Sequence, residues 1–165
     1  MFREVDLPNG VAGRLLLHSM PGRWESLESV WAAANQERVK VIVRLADFAE
    51  IRSKSPVYAD ALTNREVPFE VLACEIPDYG VPGEWGTYWA VARGVETRLQ
   101  GGEVVLVHCG AGIGRTGMFA VSVLLALGEP VDSAEKAVSR AGSGSETDDQ
   151  RKLVIWCASQ VGIEP

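Results

Sequence analysis

Apolar residues recur along the chain in two rhythms. Short runs rich in branched side chains alternate with longer stretches whose apolar positions return every three or four residues. The first rhythm fits strands and the second fits one face of a helix. Arg14 to Ser19 carries Leu15, Leu16 and Leu17 and reads as a short strand ended by Pro21-Gly22. From Leu27 the positions Leu27, Val30, Trp31 and Ala34 share a helical face, with Ser26 as N-cap. Val39 to Leu45 is short and β-branched, which predicts a buried strand. Residues 47–68 show no clear period, and Tyr58 to Leu62 suggests a helical turn or more. Phe69 to Ile76 reads as a strand that runs into Pro77-Asp78-Tyr79-Gly80-Val81-Pro82-Gly83, a loop bounded by prolines and glycines. Glu84 to Gln100 predicts a helix with Trp85, Tyr88, Trp89, Ala92, Val95 and Leu99 on one face, stopped by Gly101-Gly102. A strand over Glu103 to Val107 and a helix ending at Gly128 follow. A further helix capped by Asp132 runs to about Ala141, then a flexible Gly-Ser turn over 142–145. The last helix opens at Glu146 to Gln150 and turns Leu153, Trp156, Cys157 and Val161 inwards.

This alternation predicts an α/β fold of three layers: a mainly parallel sheet of four or five strands with helices on both faces. The strand, helix and strand over 69–107 form a βαβ unit, with parallel strands and a right-handed crossover. At 165 residues, a single domain over 1–165 is expected. Hydrophobic residues make up 47% and charged residues 23%, the balance of a soluble globular protein. No apolar run approaches the ~20 residues of a membrane span, and Met1 to Gly13 lacks a signal-peptide pattern. A cytoplasmic setting with no membrane partner is therefore expected. The net charge of −6 argues against nucleic acid as a partner. An anionic ligand must then be drawn by a local site.

Cysteines at 74, 109 and 157 and histidines at 18 and 108 form neither a disulfide framework nor a metal spacing. No metal and no cofactor are expected, and a reducing compartment suits a free thiol. Cys74 and Cys157 read as small buried apolar residues. A reversible Cys74–Cys109 disulfide is the less favoured alternative.

The chemistry concentrates in His108-Cys109-Gly110-Ala111-Gly112-Ile113-Gly114-Arg115-Thr116-Gly117. Strand formers precede it and a helical run follows it, so it reads as strand, tight loop, helix. Backbone N–H groups at a helix start are unpaired and carry the positive end of the dipole. The alternating glycines let successive N–H groups converge into an anion nest. A thiol at such a place, facing a guanidinium, ionises easily; comparable environments lower a cysteine pKa to roughly 3.5–7.5. Cys109 is the candidate nucleophile. Arg115 offers a planar fork for two oxygens of a phosphoryl group. Thr116 can donate its hydroxyl to the sulfur, and His108 lies under the loop and holds the Cys109 backbone. The bland alternative is a Gly-rich turn around a buried cysteine.

This stretch resembles the signature of the cysteine-dependent protein tyrosine phosphatase superfamily: His-Cys, five residues, Arg, then Ser or Thr. The larger tyrosine-specific members usually carry Ser where this chain has Gly110. The resemblance implies that residues 110–115 bind the phosphoryl oxygens: Gly110, Ala111, Gly112, Ile113, Gly114 and Arg115. It also implies a general acid on a separate closing loop. Asp78 is the only acid of the Pro/Gly loop, which resembles the acid loop of the superfamily with Ile76 in place of the usual Trp. Such an acid protonates the departing oxygen; read without the family, Asp78 is a turn residue capping its own backbone. Around 140–150 the chain is similar to the small dual-specificity, kinase-associated type. There related enzymes carry two glutamines around a Thr, and only Gln150 is retained; Glu146 holds the other place. Gln150 is assigned a supporting role on the substrate or water side, and Thr147-x-x-Gln150 also fits a plain capping box. Glu146 would repel a phosphate, so it should face away or hold a proton. Arg52/Lys54 and Asn64/Arg65 can border the cleft, and Tyr58 is a candidate for the tyrosine that sets pocket depth.

The resemblance thus implies a phosphatase acting on phosphotyrosine in proteins, with phosphoserine and phosphothreonine as further candidates, through a phosphocysteine. The alternatives are a phosphatase of lipid or small-molecule phosphates, an inactive phospho-binding module, and a sulfur-transfer or arsenate-reducing enzyme. The absence of lysine from positions 110–114 disfavours the lipid alternative. Neither of the last two chemistries requires an acid such as Asp78. Oligomeric state is not legible.

Overall fold

The computed structural model describes residues 1–163. In chain order the elements are β1 (Arg3–Val5), β2 (Arg14–His18), α1 (Leu27–Gln36), β3 (Val39–Arg44), α2 (Phe48–Lys54), α3 (Pro56–Thr63), β4 (Glu70–Ala73), α4 (Trp85–Gln100), β5 (Val104–His108), α5 (Gly114–Ala126), α6 (Val131–Arg140) and α7 (Asp148–Gln160). The strands form one five-stranded sheet in the order β1-β2-β5-β3-β4. All neighbours are parallel except β1, which pairs antiparallel with β2. β4 and β5 are parallel as expected, and β3 lies between them.

Both faces of the sheet are covered at its centre, where β2, β3 and β5 carry apolar runs. Leu15, Leu17, Val41, Val43, Val105 and Val107 pack beneath α4 to α7. Leu16, Ile42 and Leu106 point the other way, towards Ala34 and Trp31 of α1. A third apolar cluster joins Met20 and Ala46 to Ile51 of α2 and to Tyr58 and Ala59 of α3. Burying each such side chain fully is worth roughly 1.5–3 kcal/mol against the entropy of ordering it.

The local capping signals also operate. Ser26 accepts from Ser29 N at 3.1 Å at the start of α1. Several expectations need correction. β1 was not expected, being three residues long with only Val5 buried. The helical turn or more expected over Tyr58 to Leu62 is α3, and a further helix not expected, α2, precedes it. Pro130, not Asp132, occupies the cap of α6, and Asp132 lies in its first turn, where the dipole favours it. Val161 follows α7 and is exposed; Val154 takes the inward place. Among the described residues no helix is long and apolar enough to cross a membrane.

Candidate active site

The loop between β5 and α5 is shaped by its own backbone. Gly112 has φ of 77°, and a side chain there would strike the carbonyl of His18. In this conformation Gly112 N donates to Cys109 Sγ at 3.2 Å. Met20 N donates to Gly110 O at 3.1 Å and ties the loop to the end of β2.

His108 is fully buried beneath the loop. Burial pushes its pKa down to about 4, so the ring is neutral near pH 7. Its Nδ1 lies 3.1 Å from Cys109 O, which can only accept, so Nδ1 carries the proton. Nε2 is then an acceptor, and Tyr58 Oη donates to it at 2.9 Å. Tyr58 is therefore not a pocket residue. It is fully buried under the loop, where α3 holds it against Ile51 and Trp31, and desolvation pushes its phenol pKa up. Thr116 also departs from expectation. Its Oγ1 is buried without a hydrogen-bond partner, and the sulfur receives the Gly112 amide rather than this hydroxyl.

Arg115 is 3% exposed and sits in a compact group of charges. Nη1 and Nη2 donate to the two carboxylate oxygens of Glu50 at 2.7 and 2.8 Å, a bidentate pair. Nη1 also donates to Ile76 O at 3.0 Å, and Nη2 to Asp78 Oδ1 at 3.0 Å. Lys54 Nζ donates to Glu50 Oε2 at 2.8 Å and lies 3.5 Å from Asp78 Oδ2. Burial acts to lower the Arg115 pKa, but Glu50, Cys109 and Asp78 outweigh it and the pKa is raised. The bond from Arg115, with the one from Lys54, holds Glu50 down to about 2. Sequence reasoning missed Glu50. Its signal was Asp47-x-x-Glu50, a capping pattern at the start of α2; Asp47 Oδ1 accepts from Glu50 N at 2.8 Å. The group also accounts for Gly110: a side chain there would meet Glu50 Oε2, Lys54 Nζ and Arg115 Nη2.

Asp78 reaches this group from a tight turn. Gly80 N donates to Pro77 O at 2.8 Å, with Tyr79 in the left-handed region at φ of 59°. A non-glycine residue there is uncommon and costs about 1–2 kcal/mol. Ile76, standing where the family resemblance expects Trp, is buried in the main core and anchors the turn apolarly. Gln150 holds the other side. It is buried, its Oε1 accepts from Glu146 N at 2.8 Å, and its Nε2 donates to Gly80 O at 3.2 Å. Both ends of the amide are thus committed to backbone, while Thr147 Oγ1 accepts from Gln150 N at 3.2 Å as the capping reading expects.

A pocket of about 220 Å³ opens over the loop. Cys109, Ala111 and Arg115 line it together with Asp78 and Lys54, and Tyr79 and Ile113 stand exposed at its edge. Gly114 and Arg23 contribute as well. Glu146 lines the wall and does not face away; its carboxylate occupies the space a side chain on Gly114 would fill. Of the basic residues expected at a cleft, only Lys54 is there. Arg52 pairs outward with Asp60 at 2.7 Å, and Asn64 and Arg65 are exposed elsewhere. Cys74 and Cys157 are free thiols that burial pushes up to about 11. Among the described residues no group of three or more His, Cys, Asp or Glu could hold a metal ion. The pocket thus brings a cysteine sulfur, a guanidinium fork and a carboxylate together, the groups that transfer from an oxyanion calls for.

A family model described as "Polymorphic toxin system, DSP-PTPase phosphatase" matches residues 18–129, a span that includes Asp78, Cys109 and Arg115. Over 94 residues the chain is 34% identical to the tyrosine-protein phosphatase corkscrew of Drosophila melanogaster. It is 36% identical over 94 residues to the corkscrew of Drosophila virilis. These matches take in 53% of this chain but only 10% and 11% of the relatives, so the chain spans about a tenth of their length. Among solved structures, Tk-PTP in its active form superposes with a TM-score of 0.72 at 25% identity, covering 92% of this chain and 95% of that one. Kinase associated phosphatase superposes with a TM-score of 0.83 at 15% identity, covering 100% of this chain and 97% of that one, a likeness of fold alone.

Proposed function

The chain belongs to the DSP-PTPase phosphatase family, and on that premise we propose that it hydrolyses phosphotyrosine in protein substrates through a phosphocysteine. Phosphoserine and phosphothreonine are further substrates where they reach the nucleophile. In this reading one catalytic domain spans residues 1–165. The observation that carries it is the convergence of the Cys109 sulfur, the Arg115 guanidinium and the Asp78 carboxylate on one pocket, with Arg115 bonded to Asp78 at 3.0 Å.

Cys109, as thiolate, attacks phosphorus in line. Arg115 and the N–H groups of residues 110–115 hold the equatorial oxygens as charge redistributes. Asp78 gives its proton to the departing phenolic oxygen. As carboxylate it then takes a proton from water, whose oxygen attacks phosphorus; inorganic phosphate leaves and the thiolate returns. Glu50 holds the Arg115 fork in one orientation, which favours bidentate binding. Before substrate arrives, Asp78 occupies a donor of Arg115 that a phosphoryl oxygen takes over. Occupancy by substrate therefore turns Asp78 towards the leaving group.

Substrate class follows from the walls. Positions 110, 111, 113 and 114 supply no cation, and Glu146 repels a second phosphate nearby. Ile113 and Tyr79 give an apolar edge to an aromatic ring. Both features favour a singly phosphorylated aromatic group over a polyphosphorylated headgroup.

The test is phosphate release from phosphopeptides, measured beside inositol and nucleotide phosphates, with wild type and Cys109→Ser. Turnover of phosphotyrosine peptides should vanish in the variant while calorimetric binding of inorganic phosphate persists. Preference for inositol phosphates would redirect the substrate class. Phosphopeptide binding without turnover by the wild type would make the domain a reader of phosphate and end the enzyme reading.

A further inference from the structure

Arg3 opens the first strand, outside the stretch that the family model matches. Its side chain reaches the back of the nucleophile loop. Nη2 donates to Gly112 O at 2.6 Å, and Nη1 donates to Ala141 O at 2.8 Å and to Ser143 Oγ at 2.7 Å. Ser143 Oγ in turn donates to Gly112 O at 2.7 Å. The Gly112 carbonyl is thus held by two donors behind the loop, while the Gly112 N–H points to the sulfur at 3.2 Å.

The partners of Arg3 are also unusual in their charge. Arg14, Arg98 and Arg115 each pair with carboxylates. Arg3 donates only to uncharged oxygens, and among the described residues no carboxylate pairs with it. Burial lowers its pKa, and negative charge on the Cys109 sulfur works against this. A partly buried cation without a carboxylate is costly unless another negative charge compensates it.

We propose that Arg3 is a positioning residue for Cys109: it clamps the Gly112 carbonyl away from the pocket, so that the Gly112 amide faces the sulfur, and its charge stabilises the thiolate from behind. The inference rests on the reading of Cys109 as nucleophile. It adds a second guanidinium, on the opposite side of the loop from Arg115, contributed by the strand that sequence analysis overlooked. Other charged groups also face this region. Arg115, Lys54, Arg23, Asp78 and Glu146 lie on the pocket side. Neutral His108 lies below, Glu50 stands behind Arg115, and His18 pairs with Glu25 beside β2. None of these bonds the Gly112 carbonyl.

The experiment reads Cys109 alkylation by iodoacetamide, located by peptide mapping, as the ratio of rates at about pH 6 and about pH 9. In Arg3→Met this ratio should fall about tenfold, the effect of losing one nearby opposite charge. Arg3→Lys keeps the charge but cannot span the three acceptors. Its ratio should stay within about twofold of wild type while kcat falls. Arg14→Gln, which removes a surface cation from the neighbouring strand, should leave the ratio unchanged. An unchanged ratio in Arg3→Met with an intact melting transition overturns the proposal, as does a Lys variant that falls as far as Met. If Arg3→Met loses its cooperative transition, Arg3→Gln is read by the same criterion. Release of 4-nitrophenol from its phosphate ester is followed in parallel. A wild type that releases none, yet shows the ratio change, loses the phosphatase reading and keeps this one; release without the change does the reverse.

Discussion

Residues 108–117 and residues 47–63 meet at the Arg115 guanidinium, yet they encode their contributions differently. In the first segment, sulfur, amides and guanidinium follow one another within a few positions of the chain. In the second, Glu50 of α2, held by Lys54, reaches the guanidinium, and Tyr58 of α3 reaches His108 beneath the loop, both by tertiary packing. The groups proposed to touch an oxyanion are close in sequence because one loop must wrap one small ligand. The groups that hold those groups are under no such constraint. A motif therefore marks the reacting set and is silent about its supports.

Four experiments press on this contrast. The largest effect is expected at Asp78, the one group of the proposed reacting set that lies outside the loop. Asp78→Asn should lower kcat on aryl phosphates with poor leaving groups by about 10²–10³, and by far less on those with good ones. Steady-state rates across a leaving-group series check this, and equal slowing would remove Asp78 from the acid role. Next comes the main support. Glu50→Gln removes the charge that orients Arg115 and should lower kcat/KM by roughly ten- to a hundredfold. If the loss were negligible, Arg115 would need no helper and the contrast would dissolve.

The third experiment separates the two segments by acid unfolding, followed through tryptophan fluorescence. His108 is held by burial at about 4 against an ordinary 6.5, so the unfolded chain binds its proton first. Its contribution to stability should be lost as pH falls from 6.5 through 4. Glu50 is held at about 2 against 4.5, chiefly by Arg115. Its contribution is complete above 4.5 and lost as pH falls through 2, so Glu50→Gln should flatten only that lower window. The smallest effect is expected from Tyr58→Phe, which leaves His108 Nε2 without its donor. It should cost about 1 kcal/mol in urea melts and change kcat by only a few fold.

Much of the architecture was legible because the apolar rhythm is strict. The centre of a sheet buried on both faces demands apolar runs, and Leu15 to Leu17 of β2, Val41 to Val43 of β3 and Val105 to Val107 of β5 supply them. β1 was hidden because an edge strand of three residues with one buried side chain has no rhythm to read. Residues 47–63 were hidden because Pro56 breaks the helical period between two helices of seven and eight residues. At the site, the spacing of Cys109 and Arg115 and the lone acid of the Pro/Gly loop were visible as chemistry. The place of Glu146 was not, because it depends on how α5 and the 142–147 turn approach each other.

That approach has a consequence for where the unit can be cut. A side chain on Gly117 would strike the backbone of Gly144, and Gly144 N donates to Ile113 O at 3.2 Å. The turn before α7 is therefore a buttress pressed directly against the start of α5. A fragment trimmed to residues 18–129 would keep Asp78, Cys109 and Arg115 and lose this wall. A fragment cut at the borders of the family match should therefore unfold more readily than the full chain, which a melting transition of the two would show.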